Sequence, residues 1–398
     1  MRLPLRYILL LVFIIFLPLR GGSYFSSQLH GMGIRQYLPS VRGIGMGMTG
    51  IATTDSLLLG NYDISQWRYV TNTRLTIGLR YNRIDTEIND SSFRSASGGF
   101  TGIGLAIPIQ TQKWVIGLNF QPYTTVDFKS FQEEESGGQT FTQNNLLSGT
   151  IAKAQLNLIW SPVPQVGLAV NGNFYFGTIE DHYEYSFNDG SFRNISHQVE
   201  YRISGPGIGF SADVHPLDWL IIAGFADTRP TLKIQTAYQS PGVFPDTLKR
   251  NLDSFPFHFG IGSAIKLSSR WNLALDYSYQ YWSQTLKTPG PEYEDWYNLG
   301  LGVERAMSTK RKKGFLDQLD FRSGVSMTRI GYKFNNESVF EYGLHFGLGI
   351  PFGSYGNRLD VAVSGGFLGD KDKNLVQERF VKLHVSLAIG ERWFQRDR

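Results

Sequence analysis

The stretch that decides the fold is Trp271-Asn-Leu-Ala-Leu-Asp-Tyr-Ser-Tyr-Gln-Tyr281. Trp271, Leu273, Leu275, Tyr277, Tyr279 and Tyr281 share one parity, and Asn272, Ala274, Asp276, Ser278 and Gln280 the other. Successive side chains of a strand point to opposite faces, so this period of two makes one apolar face and one polar face. The alternation returns near the C-terminus, where Val381, Leu383, Val385, Leu387 and Ile389 oppose Lys382, His384, Ser386 and Ala388. It is present again where Leu75, Ile77, Leu79 and Tyr81 oppose Thr76, Gly78, Arg80 and Asn82. A single such strand suits a soluble sandwich equally well. The connections separate the two architectures.

Strands are expected near 73–83, 98–109, 112–130, 147–161, 165–180, 196–214 and 219–228, then near 252–267, 270–286, 295–307, 315–328, 338–351, 355–368 and 376–391. Short connections at 109–111, 161–165, 215–218, 267–269 and 351–353 alternate with long polar ones at 84–97, 131–146, 179–195, 229–251 and 369–377. Short turns on one rim and long loops on the other mark an outer-membrane barrel. The expected fold is therefore all-β, a transmembrane barrel of about 14 antiparallel strands, an even number as bacterial barrels require. Trp114, Trp160, Trp219, Trp271, Trp282, Trp296 and Trp393 stand close to turns and are read as interfacial belts.

Composition agrees. Of 398 residues, 41% are hydrophobic and only 18% charged, and past the N-terminus no apolar run reaches the ~18–20 residues of a membrane helix. With no cysteine, disulfides, thiolate metal sites, cysteine nucleophiles and lipid attachment to an N-terminal Cys are excluded. The basic run Lys310, Arg311, Lys312 and Lys313 reads as a solvated turn, and no nucleic-acid partner is expected. Arg2 and Arg6 precede an apolar stretch from Tyr7 to Leu17, and Gly21, Gly22 and Ser23 follow. That is the layout of a signal peptide. The expected organisation is signal peptide 1–23, an N-terminal hatch (plug) segment 24–70 and a barrel 71–398 in the bacterial outer membrane.

The inward-facing set includes Lys153, Gln155, Asn157, Asn171, Asn173, His258, Asp276, Gln280, Glu304, Asp320, Arg322, His345, Asp360 and Lys382. Both signs are interspersed, which fits a plugged or cross-paired lumen better than an ion-selective pore. The hatch is rich in glycine, from Gly31 to Gly60. Gly45-Met-Gly-Met-Thr-Gly50 matches the spacing of a dinucleotide fingerprint but lacks its βαβ setting, so close backbone packing in a narrow lumen is the better reading.

Ser40-Val-Arg-Gly-Ile-Gly-Met-Gly-Met-Thr-Gly-Ile-Ala-Thr-Thr-Asp55, followed by Asn61, resembles the N-terminal hatch pattern of the FadL/TodX-like outer-membrane transporters. The family's Asn-Pro-Ala step is replaced by Asn61-Tyr62-Asp63. The ending from Arg379 to Phe394 is similar to those of FadL-like proteins as well. The resemblance implies passive uptake of long-chain fatty acids or other hydrophobic compounds, with lateral exit through a kinked third strand. Here that strand reads Trp114-Val-Ile-Gly-Leu-Asn-Phe120-Gln-Pro122-Tyr123. Proline cannot donate to the ladder, so Pro122 marks a bulge, a bend or a break in pairing. Phe120 and Tyr123 flank it, and Asn61 and Gly47 are the corresponding hatch positions. The sixth strand changes phase between Val199, Tyr201, Ile203 and Ile208, Phe210, Val214, which is read as a bulge at Gly205-Pro206-Gly207.

Tyr183, Tyr185, Phe187 and Phe192 in one loop, and Tyr238, Val243, Phe244 and Pro245 in the next, are candidates to gather ligand. Arg80, Lys153, Arg202 and Arg322 are candidates to neutralise a ligand carboxylate inside. The Asp181-His182 pair cannot form a dyad, since neighbours in a strand face opposite ways. No enzyme activity, metal or cofactor is expected. Expected partners are outer-membrane lipid and a hydrophobic small molecule, with the chain a monomer. The alternative is a FadL-like barrel that docks a protein partner at its extracellular loops, within a secretion or surface-attachment machinery.

Overall fold

The computed structural model describes residues 22–27, 32–88, 91–136, 139–187, 192–240, 243–250, 255–284, 292–308, 314–353 and 356–391. The expected signal peptide lies outside them except for its last two residues, and Trp393 lies outside them too. A two-residue strand, β1 (Ile34–Arg35), precedes β2 (Thr73–Ile88), β3 (Ser91–Gln110), β4 (Trp114–Ser136), β5 (Gln139–Val163), β6 (Val166–Phe187), β7 (Ile195–Leu217) and β8 (Leu220–Asp227). After them come β9 (Lys233–Ser240), β10 (Val243–Arg250), β11 (His258–Lys266), β12 (Trp271–Gln280), β13 (Trp296–Arg305), β14 (Asp320–Phe334), β15 (Glu337–Phe352), β16 (Asn357–Leu368) and β17 (Val376–Glu391). β2–β8 and β11–β17 form a closed antiparallel barrel of fourteen strands. Its seam pairs β17 with β2, from Val376↔Ile88 to Glu391↔Thr73. Closure pairs backbone groups that an open sheet would expose to lipid, which is why strands can cross a bilayer at all.

Parity sets the faces as expected. Asp276 and Gln280 are fully buried toward the lumen, and Trp271 and Leu275 are exposed outward. Trp114 and Trp160 stack at 5.8 Å on the short-turn rim, with Trp219 and Trp271 exposed on the same rim. Tyr277, Tyr279, Tyr281 and Tyr297 ring the wall nearer the other end. From Trp271 to Tyr279 a strand tilted by 35–45° rises roughly 20 Å, close to the height of an outer-membrane apolar band.

Three expectations are corrected. Trp282 and Trp296 are only 4% and 1% exposed, inside the upper lumen: Trp296 shares the inward parity of Asn298, and Trp282, in a short 3-10 helix past the end of β12, donates Nε1 to Gln280 at 3.0 Å. Most of the long polar connections are strands: β2–β3, β4–β5, β6–β7 and β9–β10 continue as hairpins well beyond the band. Once outside lipid neither face needs to be apolar, so the alternation fades while backbone pairing persists. Finally, β7 carries no bulge against β6, and its register runs unbroken from Val166↔Val214 to Tyr185↔Ile195. Val199 and Ile203 are buried inward, whereas Ile208 and Phe210 are exposed outward. The apolar face changes sides because the lower half meets lipid and the upper half meets a packed interior.

The rims are unequal. β4–β7 have 22–25 residues each, while β11–β13 have 9–10. One side of the molecule therefore stands far above the other.

Candidate functional site: a plugged lumen beside an unpaired stretch of wall

The segment before β2 lies within the barrel, and its glycines explain how it fits. Ser40 caps the short helix Val41–Gly45 by accepting from the Gly43 amide at 3.2 Å. The backbone after it passes directly over wall glycines. A Cβ at Gly302 would lie 2.0 Å from the Met46 carbonyl oxygen, and one at Gly300 2.3 Å from that of Gly47. Gly47 itself has φ +73 and faces the Leu301 and Val325 carbonyls. Side chains on either surface would separate them.

Charge fastens this seat. Asp276 accepts from the Gly50 and Ile51 amides at 2.6 and 2.7 Å. Arg42 donates Nε to Glu304 at 2.9 Å, and Asp55 receives Arg358 at 2.5 Å. On the wall, Arg322 is fully buried and donates to Glu304, Asp360 and Asp320 at 2.8, 2.5 and 3.2 Å, while Arg358 also holds Asp360 at 2.8 Å. Burial pushes the Asp55 carboxyl up, but the charges of Arg358 and Arg42 outweigh it and hold the group below its ordinary value. The mixed signs of the lumen are thus cross-paired, and Arg42 and Asp55 bring the plug into the same network. Neither residue was legible as such, since a segment without periodicity gives no face to assign.

The wall beside the plug is incomplete. Among the described residues β3 and β4 pair only between Gln110↔Trp114 and Ile103↔Phe120. Above that level both strands bulge away from each other: β3 carries Thr101 unpaired opposite β2, and β4 carries Tyr123 unpaired opposite β5. Pro122 has no amide to offer across the gap, and bulges bend their strands. The free edge of β4 is taken by β1, with Ile34↔Thr125 and Arg35↔Thr124 in register. The Gln36 amide donates to the Tyr123 carbonyl at 2.9 Å. Higher up, Ser26 Oγ donates to the Asp127 carbonyl at 3.2 Å, and from β3 Ser95 Oγ donates to the Gly22 carbonyl at 2.9 Å. Residues of the N-terminal segment therefore stand in the breach and touch both of its sides.

Phe120 faces outward, its ring 5.8 Å from Phe100 and 6.0 Å from Phe176. Tyr123 turns inward, 5.0 Å from Tyr175 and 4.6 Å from Phe255. Asn61 sits at the foot of the breach: its Nδ2 donates to the Leu38 carbonyl at 2.7 Å, and its amide group flanks Gly102. Pro122, Phe120, Tyr123 and Asn61 are thus brought together, with Gly47 deeper in the plug. Phe187 and Phe192 are not among them. Their rings meet at 5.3 Å at the end of β6, roughly 35 Å along the strand from Phe176. Phe244 lies in β10, and its side chain lies outside the described residues.

The candidate charges separate as well. Lys153 is committed to Asp227 at 2.7 Å, and Arg322 is held by its three carboxylates. Arg202 is exposed on the outer face beside Glu200, so it does not reach the lumen. Arg80 is inside, and its guanidinium donates to Gln36 Oε1 of the plug. It lines a cavity of about 140 Å³ behind β1, with Arg35, Asn82, His345, Lys382 and His384 among the other walls. Arg35 and Gln36 were missed from the sequence because a two-residue strand leaves no pattern.

A protein-family model described as BamG matches residues 6–217 and 229–398. No curated protein matches the sequence. Solved structures do match in fold. A Pseudomonas aeruginosa FadL homologue superposes with a TM-score of 0.64 at 12% identity, over 89% of this chain and 98% of that one. The P. putida toluene transporter TodX gives 0.61 at 11%, over 92% and 100%. The Ralstonia pickettii toluene transporter TbuX gives 0.59 at 12%, over 91% and 99%.

Proposed function

Because the chain belongs to the BamG family and folds as a FadL-like barrel, we propose that it is an outer-membrane channel for hydrophobic small molecules that leave sideways between β3 and β4. The observation that supports this most is the breach itself, closed by a ribbon with two residue pairs to β4. Backbone hydrogen bonds contribute on the order of 1 kcal/mol each, and lifting β1 also takes Arg35 off Gln280 and the Tyr123 ring. Drawing the whole plug downward would break the buried Arg42–Glu304 and Asp55–Arg358 pairs and take Gly50 and Ile51 off Asp276. The sideways route leaves that network intact. Two of the structures this chain resembles are toluene transporters. A long-chain fatty acid does not fit the 140 Å³ space as it stands and requires the ribbon to move.

Pro122→Val restores an amide at the breach and is expected to slow uptake of a hydrophobic probe into proteoliposomes at least several-fold. Heat-modifiable migration on a gel should show that the barrel still folds. Unchanged uptake would reject lateral exit.

A second reading, docking of a protein partner, is favoured by the tall β4–β7 rim and by the ring cluster of Phe141, Phe187 and Phe192 at its tip. Extraction in mild detergent followed by native mass spectrometry separates the two. Small apolar ligand at fixed stoichiometry supports the channel, and a co-purifying protein supports docking.

A further inference from the structure

The cavity behind β1 has an unbalanced charge. Its lining carries three cations, Arg35, Arg80 and Lys382, against two carboxylates, Glu341 and Glu378. Lys382 and Glu341 satisfy each other at 2.8 and 2.9 Å. Glu378 is turned to the N-terminal segment and accepts from Ser23 Oγ at 2.7 Å, from the Tyr24 amide at 2.6 Å and from Thr86 at 3.3 Å.

That leaves two buried guanidinium groups with no carboxylate in ion-pair range among the described residues. Arg35 donates to the Gln36 and Tyr123 carbonyls at 2.6 and 2.9 Å and to Gln280 at 3.2 Å, and it covers the Tyr123 ring at 4.0 Å. Asp227 acts on it only from a distance and is occupied by Lys153. Arg80 is 9% exposed, donates to Gln36, and has its Nε without a partner; Asp127 acts on it only from a distance. Two further polar atoms on cavity-lining residues are unpartnered: Asn82 Oδ1, and Nδ1 of His384, which stands directly across from Arg80 in the β2–β17 ladder. His345, by contrast, is held between Ser326 and Ser364 at 2.8 Å each. Burying a cation without a counter-charge is costly, and buried donors left unpaired add to it.

We propose that this cavity is a binding site for one small oxyanion, a carboxylate or phosphate, held by Arg80 and Arg35 with Asn82 and His384 beside it. The bound anion also steadies β1, since Arg35 lies in that ribbon and Arg80 is tied to the residue after it. The site stands on the charge count and not on the uptake reading, so either can fail alone.

The test uses the folded full barrel in nonionic detergent and reads its unfolding midpoint with inorganic phosphate, with decanoate and with uncharged decanol. A ligand that binds the native state alone raises the midpoint, here by a few degrees. Stabilisation by phosphate and decanoate, lost in Arg80→Gln, supports a site for free oxyanions. Stabilisation by decanoate alone, again lost in Arg80→Gln, assigns the site to the head group of an amphiphile. Decanol matching decanoate, no response to either anion, or an Arg80→Gln barrel that responds like the wild type, would overturn the proposal. Asn82→Asp covers the case in which Arg80→Gln fails to fold. An internal carboxylate there should raise the anion-free midpoint and abolish the response to phosphate, and a response that survives counts against the site.

Discussion

Valine at position 302 is expected to push the plug off its seat and turn a closed barrel into a conducting one. The Cβ alone would stand 2.0 Å from the Met46 carbonyl oxygen and 2.5 Å from its carbon. Both surfaces are backbone there, so no rotamer change relieves the clash. Gly302 is fixed on both sides, against Ala274 of β12 and Gly324 of β14, so the plug has to move rather than the wall. Overpacking a well-packed contact costs about 1–3 kcal/mol, and here the displacement also pulls Gly50 and Ile51 from Asp276. Planar-bilayer recordings should show steady conductance for Gly302→Val against a near-silent wild type. Gly172→Val is the matched control, because a Cβ at Gly172 meets nothing within 4 Å. A silent Gly302→Val barrel would mean that the plug does not block the lumen.

The second large effect is expected from Arg42→Met. It leaves Glu304 with one arginine, Arg322, and Asp55 with one, Arg358, in a network already holding four carboxylates to three arginines. Removing one member of a buried ionic cluster costs roughly 3–5 kcal/mol. The barrel strands do not depend on Arg42, so the loss falls on docking of the plug. Amide exchange should rise about a hundredfold or more across residues 41–59 and stay unchanged in β12–β14. If exchange rose equally in the strands, the network would be holding the wall and not the plug.

How much of this was legible follows from what each signal depends on. Trp271 to Tyr281 fixed one strand and its faces because lipid and lumen demand opposite chemistry at every step. The same rule placed Asp276, Glu304 and Arg322 inside. It would also have placed Trp296 inside, had parity been weighed above nearness to a turn; Trp282 lies past the end of β12, where parity no longer applies. The hairpin of β4 and β5 beyond Lys129 was not legible, since Phe131, Glu133, Glu135 and Thr140 are exposed there and no buried face imposes an alternation on them. Val199 and Ile203 misled for a related reason: the apolar face moved from lipid to interior while the strand ran straight on. Pro122 announced a disturbance correctly, but nothing local could say that Ile34 and Arg35 would come to fill it. The charge network of the plug was likewise hidden, because Arg42 and Asp55 meet partners hundreds of positions away.

The seam between β17 and β2 has a consequence for how the molecule is made. It joins the two ends of the barrel sequence, so it is the pairing with the largest loop to close and should form late. The plug lies upstream of β2 yet is gripped by β4 and by β12–β16, and proteins avoid threading a segment through a closed ring. The plug must therefore be in place while the sheet is still open. At that stage β2 and β17 both present unpaired edges, and an open sheet of this length is prone to join the wrong neighbour. The glycines and arginines that seat the plug thus act first as a template around which the wall curls, and only afterwards as a stopper.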